Sequence, residues 1–214
     1  MKLRTMSTGI VGLVASLALA ALPVVPSQAS EDPTIASSRA FLASYGVDAR
    51  TQNTLIETYL SGGTWDSMSS AAQPRSVVSY SAADGDYTVN TYDDGSIAVS
   101  RIESVSERSL GRGISGCTAS GMTRSNCKID MWVGLVSLSF YASYNLGNNT
   151  VTNVYGAGWS IGGACGANLV YLGRPATNIG RMDVSAQMCG IPYSTTFWLQ
   201  LTVRSGSASV SWSP

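Results

Sequence analysis

Few side chains in this sequence could carry chemistry. Between Cys117 and the last residue, Pro214, the only carboxylates are Asp130 and Asp183, and the 214-residue chain contains no histidine. Without imidazole, nucleophiles of the Ser-His-Asp and Cys-His kinds and the zinc hydrolases all lose a required part. A glycosidase needs only two carboxylates astride one bond, so Asp130 with Asp183 is the catalytic pair that the composition leaves open. Acids on strands are more often surface charges, and no catalytic residue is assigned. Gly156-Ala157-Gly158 and Gly162-Gly163 lack the Lys-Ser/Thr and the strand-to-helix setting of a phosphate loop. Asp93-Asp94-Gly95 is too short for an EF-hand calcium loop. No cofactor and no metal is expected.

The aromatic residues say more. In Cys127 to Val133, CKIDMWV, the residues Cys127, Ile129, Met131 and Val133 alternate with Lys128, Asp130 and Trp132, the period of a strand with one buried face. Tyr141 alternates outward among serines in Leu135 to Leu146, and Trp198 and Gln200 alternate outward from Phe197, Leu199, Leu201 and Val203. Rings beside hydrogen-bonding side chains suit sugars, whose C–H faces stack on π-systems, and also anchor protein partners. Trp132, Tyr141, Trp198 and Gln200 are therefore the candidate ligand-binding residues, for polysaccharide or cell-surface material on a sheet face. A second reading uses the loop TASGMTRSN between Cys117 and Cys127. Braced by a disulfide, with Met122 and Arg124 near its centre, it would suit a secreted protease inhibitor or toxin-like effector with a protein target.

Cysteines and the start of the chain indicate the compartment. Lys2 and Arg4 precede an apolar run, Ile10 to Leu22, and Ser27-Gln28-Ala29 is a small-x-small cleavage site, so residues 1–29 read as a signal peptide cut after Ala29. That run is short for a membrane span, and no later stretch approaches one. Of 13 basic and 13 acidic residues, loss of Lys2 and Arg4 leaves a net charge of −2. The charges are scattered, which excludes the basic footprint of a nucleic-acid binder. Four cysteines in an exported chain predict two disulfides, with Cys117 to Cys127 and Cys165 to Cys189 as the favoured pairing among three.

These residues need elements to position them. With 44% hydrophobic and 12% charged residues, the chain can bury one good core and a smaller satellite. Thr34 is expected to cap a first helix carrying Ile35, Phe41, Leu42 and Tyr45, and Asp48 a second carrying Leu55, Ile56, Tyr59 and Leu60. Trp65 is expected to anchor this hairpin to the next part of the chain. Three short alternating segments come after it, separated at Asp84-Gly85 and Asp93-Asp94-Gly95, which reads as a β-meander. The expected organisation is a signal peptide (1–29), a small α+β module (30–103), a linker (104–115) and a β-sandwich with two disulfides (116–214). The fold class is mainly β, a disulfide-bonded antiparallel sandwich preceded by a helical hairpin and meander. The linker carries Arg108 and Arg112, where an extracellular protease could cut.

TYDDGSIAVSRIE, the Cys117 to Trp132 segment and LVSLSFYASYNL resemble secreted proteins of actinobacteria, a group with no activity attached to it. The resemblance spans most of the mature chain. It implies export and carries over no catalytic or binding residue.

Overall fold

A computed structural model describes residues 32–105, 116–189 and 194–213. The expected signal peptide and cleavage site, and residues 106–115 of the expected linker, lie outside the described residues. Asp32, not Thr34, caps α1 (Pro33–Ser44): its carboxylate accepts the Thr34 N–H at 2.7 Å, and Pro33 takes the first helical position. Proline belongs there because its missing N–H would be unpaired anyway. Asp48 caps α2 (Ala49–Leu60) as expected, accepting from the Arg50 and Thr51 N–H groups, and Leu55 and Ile56 are buried. Trp65 is fully buried and donates its indole N–H to the Leu55 carbonyl at 2.5 Å. Its ring occupies the space that a Cβ on Gly134 would need, and Gly134 sits at φ +55°. Helix α2 is thereby fixed to the turn at Gly134.

All strands pair antiparallel. The large sheet has the order β1 (Ser76–Ala82), β2 (Gly85–Thr91), β3 (Ile97–Glu103), β5 (Thr123–Val133), β6 (Val136–Asn145), β7 (Thr150–Ile161), and β4 (Thr118–Ser120) also pairs with β5. The small sheet runs β11 (Ser207–Ser213), β10 (Ser194–Arg204), β9 (Ile179–Met188), β8 (Ala164–Ala176). Alternation places Ile129, Met131, Leu138 and Phe140 of the large sheet in one core with Met182, Val184, Leu199 and Leu201 of the small one. Both expected disulfides are present, Cys117 with Cys127 and Cys165 with Cys189. Among the described residues no helix is long and apolar enough to cross a membrane.

The fold class is as the sequence indicates, and the place of the meander is the difference. β3 pairs with β5 from Val99 opposite Trp132 to Ile102 opposite Ile129, so residues 76–103 belong to the same sheet as the disulfide region. Ile97 and Ala98 are buried in the common core. The large sheet is also wider than the small one, and β1 is exposed along its whole length.

Candidate functional site

In an antiparallel sheet, directly opposed residues share a face, so the register lays the outer faces out in rungs. On the large sheet one rung runs Tyr80, Tyr87, Arg101, Asp130, Ser139, Gly158, and its neighbour runs Val78, Val89, Val99, Trp132, Ser137, Ser160. Asp130 is buried and accepts from Arg101 at 2.5 Å and 3.0 Å, while Lys128 reaches its other oxygen at 2.9 Å. Arg101 also binds Asp84 at 2.6 Å, and its guanidinium lies 6.0 Å from the Tyr87 ring centre and 5.5 Å from that of Trp132. Burial works against the Arg101 cation; Asp130, then Tyr87 and Asp84, outweigh it and raise its pKa above the ordinary value. The Tyr87 hydroxyl, with Arg101, holds Asp84 below the usual carboxylate range.

Helix α1 lies against this face. Phe41 and Ser37 face Trp132, Ser137 and Ser160 across a cleft of about 330 Å³. Burial, and then the neighbouring Tyr80 hydroxyl, push the Tyr45 phenol up to about 12. Tyr141 is engaged too: it stacks on Tyr155 at 5.6 Å, over the bare backbone of Gly156, and Tyr155 donates to the Asn126 side chain at 2.7 Å. Trp132 and Tyr141 thus face outward as the alternation implies, and each is held by neighbours.

The outer face of the small sheet is built differently. Its rungs read Asn168, Ser185, Thr196; then Tyr171, Asp183, Trp198, Ser213; then Gly173, Arg181, Gln200, Ser211. Arg181 lies 4.5 Å above the Trp198 ring centre and gives its Nε–H to Asp183 at 2.6 Å. Gln200 donates to the Thr202 hydroxyl at 3.2 Å. Tyr171, 36% exposed, lies along its own strand over Gly173, where a Cβ would stand 3.1 Å from the phenol oxygen. The missing side chain lets the ring lie flat. Two plates result, the Tyr171 ring and Arg181 upon Trp198; the backbones of Tyr171 and Trp198 stand two strand spacings, roughly 10 Å, apart. Around them stand hydroxyls and amides.

The expected aromatics therefore divide between two faces. Trp132 and Tyr141 are on one side of the sandwich, Trp198 and Gln200 on the other. Asp130 and Asp183 part in the same way. Sheets pack about 10 Å apart and these two carboxylates point away from each other, which is too far to flank one glycosidic bond. In the alternative loop, β4 pairs with β5 as a tight hairpin; Met122 at its tip is 51% exposed, while Arg124 folds back on the Gly121 and Thr123 carbonyls at 2.8 Å and 3.3 Å. No group of metal-ligating side chains occurs among the described residues. Compared with known proteins, the chain matches no family model, no curated protein and no solved structure.

Sequence reasoning missed Tyr171, Arg181 and Arg101. The signal for the first two was available: Tyr171 precedes Gly173 by two residues, and Arg181 precedes Asp183 by two, so each pair shares a face of one strand. Arg101 meets Asp130 only through the β3–β5 pairing.

Proposed function

We propose that this protein is a secreted, non-catalytic binding module that holds polysaccharide of the cell surface or its surroundings on the outer face of the small sheet. The observation that carries the reading is the pair of flat plates, Tyr171 over Gly173 and Arg181 over Trp198, set in a field of Asn, Ser, Thr and Gln side chains. Tyr171 and Trp198 rise from strands roughly 10 Å apart, a separation of the order of a disaccharide repeat, which suits stacking on sugar rings of an extended chain. Arg181 commits its Nε to Asp183, and its terminal nitrogens are suited to sugar hydroxyls or the carboxylates of uronic acids. Secretion is supported by the amino-terminal leader pattern and the two disulfides. The tie of Arg124 to its own turn gives no support to the inhibitor reading.

Depletion of the protein from solution by insoluble polysaccharides and cell walls tests this. The unaltered protein is expected to be depleted. A Trp198→Ala/Tyr171→Ala variant with an unchanged melting temperature is expected to stay in solution, and a Trp132→Ala/Tyr141→Ala variant to bind as before. Equal depletion of all three, or none of any, would overturn the proposal.

A further inference from the structure

Among the described residues β1 is the free edge of the large sheet: β2 alone pairs with it, and its seven residues are exposed. Val77, Val78 and Tyr80 keep 58%, 54% and 43% of their surface accessible. A bare edge offers a row of unpaired N–H and C=O groups, and soluble proteins blunt such edges with charge, proline or a bulge. Ser76-Val77-Val78-Ser79-Tyr80-Ser81-Ala82 has no charge and no proline, and its register with β2 is unbroken. The other edges are managed. β7 and β8 are interrupted by register shifts, and β11 turns Ala208, Val210 and Trp212 against the core.

We infer that β1 pairs with the β1 of a second copy of this chain, antiparallel, about a twofold axis through Ser79. That register pairs all seven residues. Ser79 meets its own counterpart, Val78 meets the partner's Tyr80 on the outer face, and Val77 meets the partner's Ser81 on the other. Charge fits as well. Arg75, exposed and without an ion-pair partner among the described residues, stands just before the strand, and Asp84, its side chain 58% exposed, stands just after it. Antiparallel pairing brings the Arg75 of each copy beside the partner's Asp84, with no like charges opposed.

A twofold axis perpendicular to the joined sheet leaves both small sheets on the same side. If the polysaccharide reading holds, the dimer presents two platforms to one surface, and the second contact becomes intramolecular. The dimer itself rests on the edge and not on that reading, and its test reads mass rather than binding.

Sedimentation equilibrium of the purified protein over a range of concentrations is expected to show a monomer–dimer equilibrium; a monomer mass throughout overturns the proposal. Val78→Lys is expected to raise the dissociation constant about tenfold or more, because the substituted pair occurs twice about the axis. An unchanged constant in that variant overturns it. Among the described residues no cysteine is free, so Ser79→Cys introduces a single thiol that lies against itself at a Cα separation of about 5 Å, within disulfide reach. Oxidation should cross-link Ser79→Cys and not Ser76→Cys, which faces the partner's Ala82. Equal cross-linking of the two overturns the register.

Discussion

On the large sheet an aspartate, an arginine and a tryptophan are gathered at Asp130, Arg101 and Trp132; on the small sheet the same three residue types meet at Asp183, Arg181 and Trp198. The first set is enclosed, with the Arg101 and Asp130 side chains 16% and 3% exposed, and the second is half-buried and more open to water, with Arg181 and Asp183 at 29% and 20%. Cover decides what such a trio does. Taking charges out of water makes them costly to leave unpaired, so the enclosed trio holds its sheet together. A solvated pair contributes little to stability and can exchange its water for a ligand at small cost. The aromatic alternation that marks both faces in the sequence therefore has two meanings, and only the surroundings separate them.

Substitution can break this comparison. Arg101→Ala strands the buried Asp130 with Lys128 alone and should destabilise the protein by about 3 kcal/mol. Arg181→Ala should cost no more than about 1 kcal/mol. Urea denaturation of both variants measures the difference, and equal costs would end the distinction between the faces. A second contrast lies at two turns. Gly134→Ala forces a Cβ into the Trp65 ring at positive φ and should cost about 2 kcal/mol or more. Gly206, at φ +75° with nothing within 4 Å of a Cβ, should lose only about 1 kcal/mol on the same change.

The smallest expected effect sharpens the contrast through pH. Burial pushes the Tyr59 phenol up to about 12, and burial together with Tyr80 does the same for Tyr45, from an ordinary value of 10.0. Both are neutral below pH 10 in folded and unfolded chains, so their contribution is fully present there. Above pH 10 the unfolded chain ionises first, and that stability is lost as pH rises through about 12. Chemical denaturation from neutral to alkaline pH should show this loss, and Tyr59→Phe should reduce it. Trp198→Ala, on the open face, should leave the alkaline limb unchanged.

Much of the fold is legible in the local pattern. Strict alternation from Val136 to Tyr144 matches β6, which is buried at every second residue. The Asp93-Asp94-Gly95 turn, the Asp48 cap and both disulfides also arise from neighbours in sequence, whereas the first hairpin turns at Ala83-Asp84 and Gly85 opens β2 as a strand residue. The illegible part is non-local. Alternation says that Trp132 and Trp198 point outward, but which sheet each strand joins is settled by pairings between distant residues, and so the single aromatic face became two. The meander gave the same difficulty. Its turns are written in the sequence, whereas its attachment through β3 to β5 spans the connection at residues 104–115. Asp130 resembled a surface acid because its partner Arg101 lies 29 residues earlier in the chain.

That same β3–β5 ladder changes what proteolysis at Arg108 or Arg112 would do. Both disulfides lie on the carboxy-terminal side of the connection, so no covalent bond would join the fragments. Each fragment would still own part of one sheet and one core. A cut there would release no propeptide. It would leave a nicked protein of two polypeptides that separate in detergent and stay together in buffer, and the two pieces, expressed apart, have the makings of a complementing pair.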